Sequence, residues 1–252
     1  MIDGSHRPER YPEIDFFRGT ALVMMLISNF VTDLQYFFSY SDFETFWYWF
    51  ARITAGMFIF ISGLSLWISH FRARGFEKYL KRFAKLFGLG VLITAVTETF
   101  LPSGTVYFGI LHFLGVSSLL GIPFLRFGPM NVLLSLIFLA GTSVVRNHHS
   151  ESLLLLPLGI TPDVFFTFDY FPIFPWFGVF LLGVGFGGLA YPNGMRRFDL
   201  RFPEGILFSS VEAAGRNTLK IYLIHQPVFV LILMVISGGK LEGIVLPWFG
   251  QG

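Results

Sequence analysis

Arg18 and Asn29 stand eleven positions apart in EIDFFRGTALVMMLISNFVTD, residues 13–33. On a helix that spacing is about three full turns, so the two side chains share a face, roughly 16 Å apart along the axis. Asp33 follows one turn beyond Asn29. Polar groups on one stripe of an apolar helix are costly unless they meet protein, water or a ligand. Arg18 reads either as a snorkelling anchor or as a clamp for an anion. Asn29 reads as an interhelical hydrogen bond or as a group that orients a substrate, and Asp33 as a helix-exit cap or a site carboxylate.

Two histidines join this set. His112 falls between Gly109 and Gly115, and His225 precedes Gln226 and Pro227. A neutral imidazole is the side chain best suited to take a proton from an amine or hydroxyl near neutral pH; the bland reading is a buried structural histidine. Arg216 and Asn217 open an apolar run, where free helix N–H groups beside a guanidinium would seat a phosphate; ordinary capping by Asn217 or Thr218 is the alternative. Arg82 belongs to the basic run Arg72, Arg74, Lys78, Lys81, Arg82, Lys85. That run reads first as a topology signal and second as an attraction for a polyanion. The aromatic run Phe165–Trp176 reads as an interfacial belt, with sugar stacking the sharper alternative. No metal site is expected: no HxxxH or HxxE spacing joins the buried histidines, and His148-His149 is a weak loop pair. Cys is absent, which removes thiolate chemistry.

The elements that must hold these groups are membrane helices. Of 252 residues, 54% are hydrophobic and only 13% charged, with 33 Phe and a mean hydropathy of +0.65. Soluble domains carry about 25% charged residues, so the solvent here is lipid. Disordered and nucleic-acid-binding classes fail on the same composition. The expected fold is an all-α polytopic helix bundle, a single integral membrane domain over 1–252 with about seven transmembrane spans. These fall near 15–38, 46–70, 83–100, 106–125, 130–146, 173–191 and 217–236. Gly56 and Gly63 are expected to permit close helix approach. Residues 1–12 form a polar arm rather than a signal peptide. Residues 147–172 are the longest non-spanning segment, with 153–160 a candidate re-entrant piece. An interfacial stretch is expected before the last span, and the tail after it is too short to cross again.

With an odd number of spans, only Arg52, Arg146 and Lys240 of the 18 Lys and Arg residues fall on the side opposite the N-terminus. That side carries Asp33, Asp42, Glu44, Glu98, Glu151, Asp163, Asp169 and Glu242. The positive-inside rule then places the N-terminus in the cytoplasm.

Five separated pieces point to one family. EIDFFRGTALVMMLISNF, FISG at 60–63, GILHFLG at 109–115, DYFPIFPWFGVFLLG at 169–183 and GRNTLKIYLIHQP at 215–227 resemble the heparan-α-glucosaminide N-acetyltransferase catalytic-domain family, which has many prokaryotic members. The resemblance implies a transmembrane acyltransferase in a prokaryotic plasma membrane. It would carry an acetyl or other acyl group from cytoplasmic acyl-CoA to an amino sugar or other glycan acceptor on the far side. A homodimer is expected on the resemblance alone. The chain is also similar to acyltransferase-3 type membrane enzymes, whose first helix carries Arg, ten residues, then His; here the pattern ends on Asn29, which cannot act as a general base. The loop at 39–45 supplies no histidine either. On the acyltransferase reading, Arg18, Arg82 and Arg216 (with Asn217) hold the CoA phosphates, His112 or His225 supplies the base, Asn29 orients the acceptor and Asp33 is a second carboxylate candidate. The rival readings are a small-molecule or lipid transporter, and a membrane scaffold without catalysis.

Overall fold

The computed structural model describes residues 10–72, 75–200 and 205–238. Residues 1–9 of the expected arm at 1–12, the tail beyond 238, and Arg74, Arg201, Lys240 and Glu242 lie outside the described residues. The helices in order are α1 (Pro12–Phe38), α2 (Glu44–Arg72), α3 (Glu77–Phe100), α4 (Ile110–Leu120), α5 (Asn131–Val145), α6 (Ile173–Ala190), α7 (Ile206–Arg216) and α8 (Thr218–Ile236). No strand occurs among the described residues. Among the described residues, six helical runs are long and apolar enough to cross a membrane: α1, α2, α3, α6, α8 and Ile122–Val145, in which a 3₁₀ segment leads into α5. The protein is an all-α integral membrane protein.

The fourth expected span, 106–125, is shorter than the sequence suggests. Its α-helix has 11 residues, about 16 Å of rise against a hydrocarbon core of about 30 Å. The late start has a local cause. Thr97 Oγ1 accepts from the Val106 N–H at 3.1 Å, and the Thr94 hydroxyl donates to the Val106 carbonyl. Two α3 threonines thus satisfy both backbone groups of Val106 outside any helix. At the other end, Gly128 at φ 50° breaks the 3₁₀ run, and Asn131 donates to the Phe124 and Gly128 carbonyls at 2.9 and 2.8 Å. The segment 153–160 holds a 3₁₀ turn, Leu153–Leu158.

Chain contacts divide the protein into two compact units, one from Met1–Ile61 with Arg196–Lys240 and the other from Ser62–Met195. In the first, α1 and α7 meet backbone to backbone. A Cβ on Gly19 would strike the Val211 carbonyl, and one on Gly215 would strike the Asp15 carbonyl. Small residues permit this approach, and packing then replaces the absent hydrophobic drive between helices in lipid. The Phe16 and Phe208 rings stack at 4.7 Å beside the crossing, so the stretch expected to be interfacial is the helix α7 packed on α1. Farther along α1, Phe30 meets Phe229 of α8 edge-on at 5.3 Å.

In the second unit, Phe177, Phe180, Leu181 and Val184 of α6 are almost wholly enclosed. Gly63 sits against the Phe180 carbonyl, where a Cβ has no room. The Trp67 indole N–H donates to the Tyr191 carbonyl at 2.9 Å. Gly56 differs from expectation: nothing described lies within 4 Å of a Cβ there, so it makes no close crossing. We therefore predict that Gly63→Val and Gly215→Val each lower the melting temperature in detergent or abolish monodisperse protein, at a cost of roughly 1–3 kcal/mol or more. Gly56→Ala should be neutral by the same measurement.

Candidate functional site

The first unit pairs α1 with α8 through two polar rungs. Asn29 Nδ2 lies 2.8 Å from His225 Nε2. One turn along α1, Gln226 Nε2 donates to Asp33 Oδ1 at 2.7 Å. The His225 ring also contacts the Tyr222 carbonyl through Nδ1, so both of its nitrogens are engaged. Asp33 is 4% exposed, and its Oδ2 has no partner among the described residues. Three of the residues expected at a site are thus brought together, and Gln226, noted in the sequence only as the neighbour of Pro227, joins them.

Three arginines of this unit each hold a carboxylate. Arg18 Nη1 is 2.9 Å from Asp15 Oδ1, Arg216 Nη2 is 3.0 Å from Glu212 Oε1, and Arg196 Nη1 reaches the buried Glu13 at 3.5 Å. Asn217 does not cap α8 with its side chain; its amide donates back to the Ala213 carbonyl at 2.9 Å. Thr218 likewise bonds the Gly215 carbonyl at 2.7 Å. Asn217 is therefore the joint between α7 and α8, where the amide end of one helix follows the carbonyl end of the other across one residue.

The second unit holds His112 and Arg82. His112 is 4% exposed. Its ring lies edge-on to Phe87 at 5.1 Å and stacks on Phe108 at 5.8 Å. The slot exists because residue 90 is glycine, where a Cβ would run into the imidazole. Nδ1 is buried with no hydrogen bond among the described residues. An unpaired buried polar atom carries a desolvation penalty of about 1–3 kcal/mol, which makes it a candidate for function. Arg82 donates to Ser62 Oγ at 2.6 Å, tying α3 to the FISG segment.

Asp169, read in the sequence only as a charge on one side, caps the helix that bears His112. Its Oδ2 accepts from the Ile110 N–H at 2.9 Å, giving α4 an anion at its N-terminus that the local residue Gly109 lacks. The signal was the aspartate opening DYFP; its partner lies 59 residues away. The rest of the aromatic run lies over the same turn. Phe171 N–H donates to the Phe108 carbonyl at 2.9 Å, and Tyr170 donates to the Leu156 carbonyl at 2.7 Å. Burial pushes the Tyr170 phenol up to about 12, so it remains a donor throughout the physiological range.

Residues 10–227 match the family described as heparan-alpha-glucosaminide N-acetyltransferase, catalytic. The chain belongs to this family. Membership implies membrane acetyltransferase activity, and the matched region contains every residue of both rungs and of the His112 slot. No curated protein matches the chain, and no solved structure does. Because Asp169 accepts from the α4 entry amide, Asp169→Ala should speed hydrogen exchange at Ile110 and lower stability by about 1–2 kcal/mol. Hydrogen–deuterium exchange read by mass spectrometry checks this, with Asp163→Ala, an exposed carboxylate of the same segment, as the control.

Proposed function

We propose that the protein moves an acyl group from acyl-CoA on the cytoplasmic side, where its N-terminus lies, to an amine or hydroxyl of an amino sugar or related glycan on the opposite side. The observation that supports this best is the unpartnered Nδ1 of His112, in the GILHFLG segment of an acetyltransferase family. Of the two histidine candidates, only His112 has a ring nitrogen without a hydrogen bond among the described residues; those of His225 are occupied. A base needs a lone pair within reach of the proton it takes. His112 accepts the proton of the attacking N–H or O–H, the new C–N or C–O bond forms at the acyl carbon, and the C–S bond breaks. The CoA thiolate leaves and is protonated. No covalent enzyme intermediate is required, consistent with a chain that has no Cys.

Asn29 orients the acceptor, and Asp33, with its unpartnered Oδ2, is the second carboxylate candidate. Arg18, Arg216 and Asn217 are the phosphate ligands proposed for the first unit, and Arg82 the one proposed for the second. Guanidinium groups suit phosphate through their fork of donors. The carboxylates beside Arg18 and Arg216 hold those forks in place, and phosphate would share them.

Two measurements test this reading. Calorimetry with the detergent-purified protein should show acetyl-CoA binding that Arg18→Ala weakens by about tenfold or more, the scale of a lost charged hydrogen bond. Absence of wild-type binding at millimolar acetyl-CoA, to protein shown to be folded, would sink the acyltransferase reading. His112→Ala should fold and bind acetyl-CoA while losing acyl transfer by roughly 10²-fold or more; full activity in that variant would remove His112 from the reaction.

A further inference from the structure

The Asn29–His225 rung has a direction. The Tyr222 carbonyl can only accept a hydrogen bond, so the His225 Nδ1 that faces it carries the proton. In a neutral imidazole the other nitrogen, Nε2, is then a bare lone pair. The group 2.8 Å from that lone pair is the Asn29 Nδ2 amide, a donor. For a neutral ring, both bonds are satisfied only in this arrangement. An amide turned by 180° would set the Asn29 carbonyl against the Nε2 lone pair, acceptor against acceptor, in a site where His225 is 8% exposed and water is scarce.

The consequence concerns the other end of the amide. With Nδ2 held on His225, Asn29 Oδ1 points away from it and has no partner among the described residues. Asp33, one turn further on, repeats the pattern: Oδ1 is taken by Gln226 and Oδ2 is left over. The α1 stripe thus has two unused acceptor oxygens, a set that matches N–H and O–H groups and does not match a thioester carbonyl.

We infer that His225 is a positioning residue and not the base: it fixes the Asn29 amide so that Oδ1 receives a hydrogen bond from the N–H or O–H of the acyl acceptor. The identity of that donor rests on the acyltransferase reading; the orientation of the rung does not. Asn29 therefore holds the nucleophile, while stabilisation of charge on the acyl oxygen falls to other groups. Gln can imitate His225 here, since its amide N–H can donate to Tyr222 while its carbonyl accepts from Asn29. Ala cannot.

The first test needs no turnover. The full chain, labelled with ¹⁵N-histidine in detergent at neutral pH, is compared with His225→Gln to assign the His225 nitrogens. The expected result is a neutral ring protonated at Nδ1 and bare at Nε2, with the Nε2 resonance shifted in Asn29→Leu. A ring protonated at Nε2, or at both nitrogens, overturns the proposal. The second test measures acyl transfer from acetyl-CoA to glucosamine. His225→Ala should raise the acceptor KM about tenfold with the pH profile of kcat unchanged, and His225→Gln should recover to within about threefold of wild type. Loss of the acidic limb of the pH profile in His225→Gln, the limb on which a base becomes protonated, would make His225 the base and refute a positioning role. A wild type that acylates no acceptor would count against the acyltransferase reading alone, because the nitrogen spectrum still decides the rung.

Discussion

Hydrocarbon offers a polar group no hydrogen bond, and most of this structure follows from that. Within the spans a helix interior satisfies its own backbone amides, and each polar group that cannot be so satisfied must find a partner in the protein. Asn29 finds His225, Asp33 finds Gln226, Asn131 finds two carbonyls beside a helix break, and the entry amide of α4 finds Asp169. These bonds do more than hold helices together. In a medium where an unpaired group costs several kcal/mol, they also fix which atom of each side chain faces which way.

Against that background the unpaired atoms stand out. His112 Nδ1, Asp33 Oδ2 and Asn131 Oδ1 are all enclosed and all lack a partner among the described residues. Asn131 is already fully used as a donor at a structural break, so its spare acceptor has a mechanical explanation. His112 has none. Its ring sits in a slot made for it by a glycine and two phenylalanines, which hold its orientation without giving Nδ1 a hydrogen bond. A histidine retained only for packing would be expected to bond through at least one nitrogen, as His70 does with the Tyr79 hydroxyl at 3.0 Å.

Much of the fold was legible in the sequence because the lipid solvent writes it in composition. Long apolar runs, Pro and Gly breaks, and the basic connection after α2 located the helices to within a few residues. The fourth helix was misjudged at its start because Val106 and its neighbours are as apolar as a span, and nothing local shows that two threonines on α3 hold Val106 outside the helix. Gly56 and Gly63 look alike in sequence, yet only one faces another backbone. Individual site residues were equally visible: Asn29, Asp33, His112 and His225 announce themselves as polar groups in apolar text. Their partnerships were not visible. A bond between residues 196 positions apart leaves no periodic trace, and Asp169 reads as one surface charge among several until the turn it caps is seen.

The order in which the chain is made gives the α1–α8 rungs a further significance. Asn29 and Asp33 enter the membrane with the first helix, whereas His225 and Gln226 belong to the last helix described. At about 5–20 residues per second, the 196 positions between Asn29 and His225 take roughly 10–40 s to synthesise. During that interval α1 carries an amide and a carboxyl group whose native partners do not yet exist. A chain that stops short of α8 would keep them unpaired for good, inside lipid, on its first span. The rungs thus mark the arrival of α8, and a copy that stops before it would present the kind of polar membrane helix that translocon-associated chaperones and membrane proteases are suited to detect.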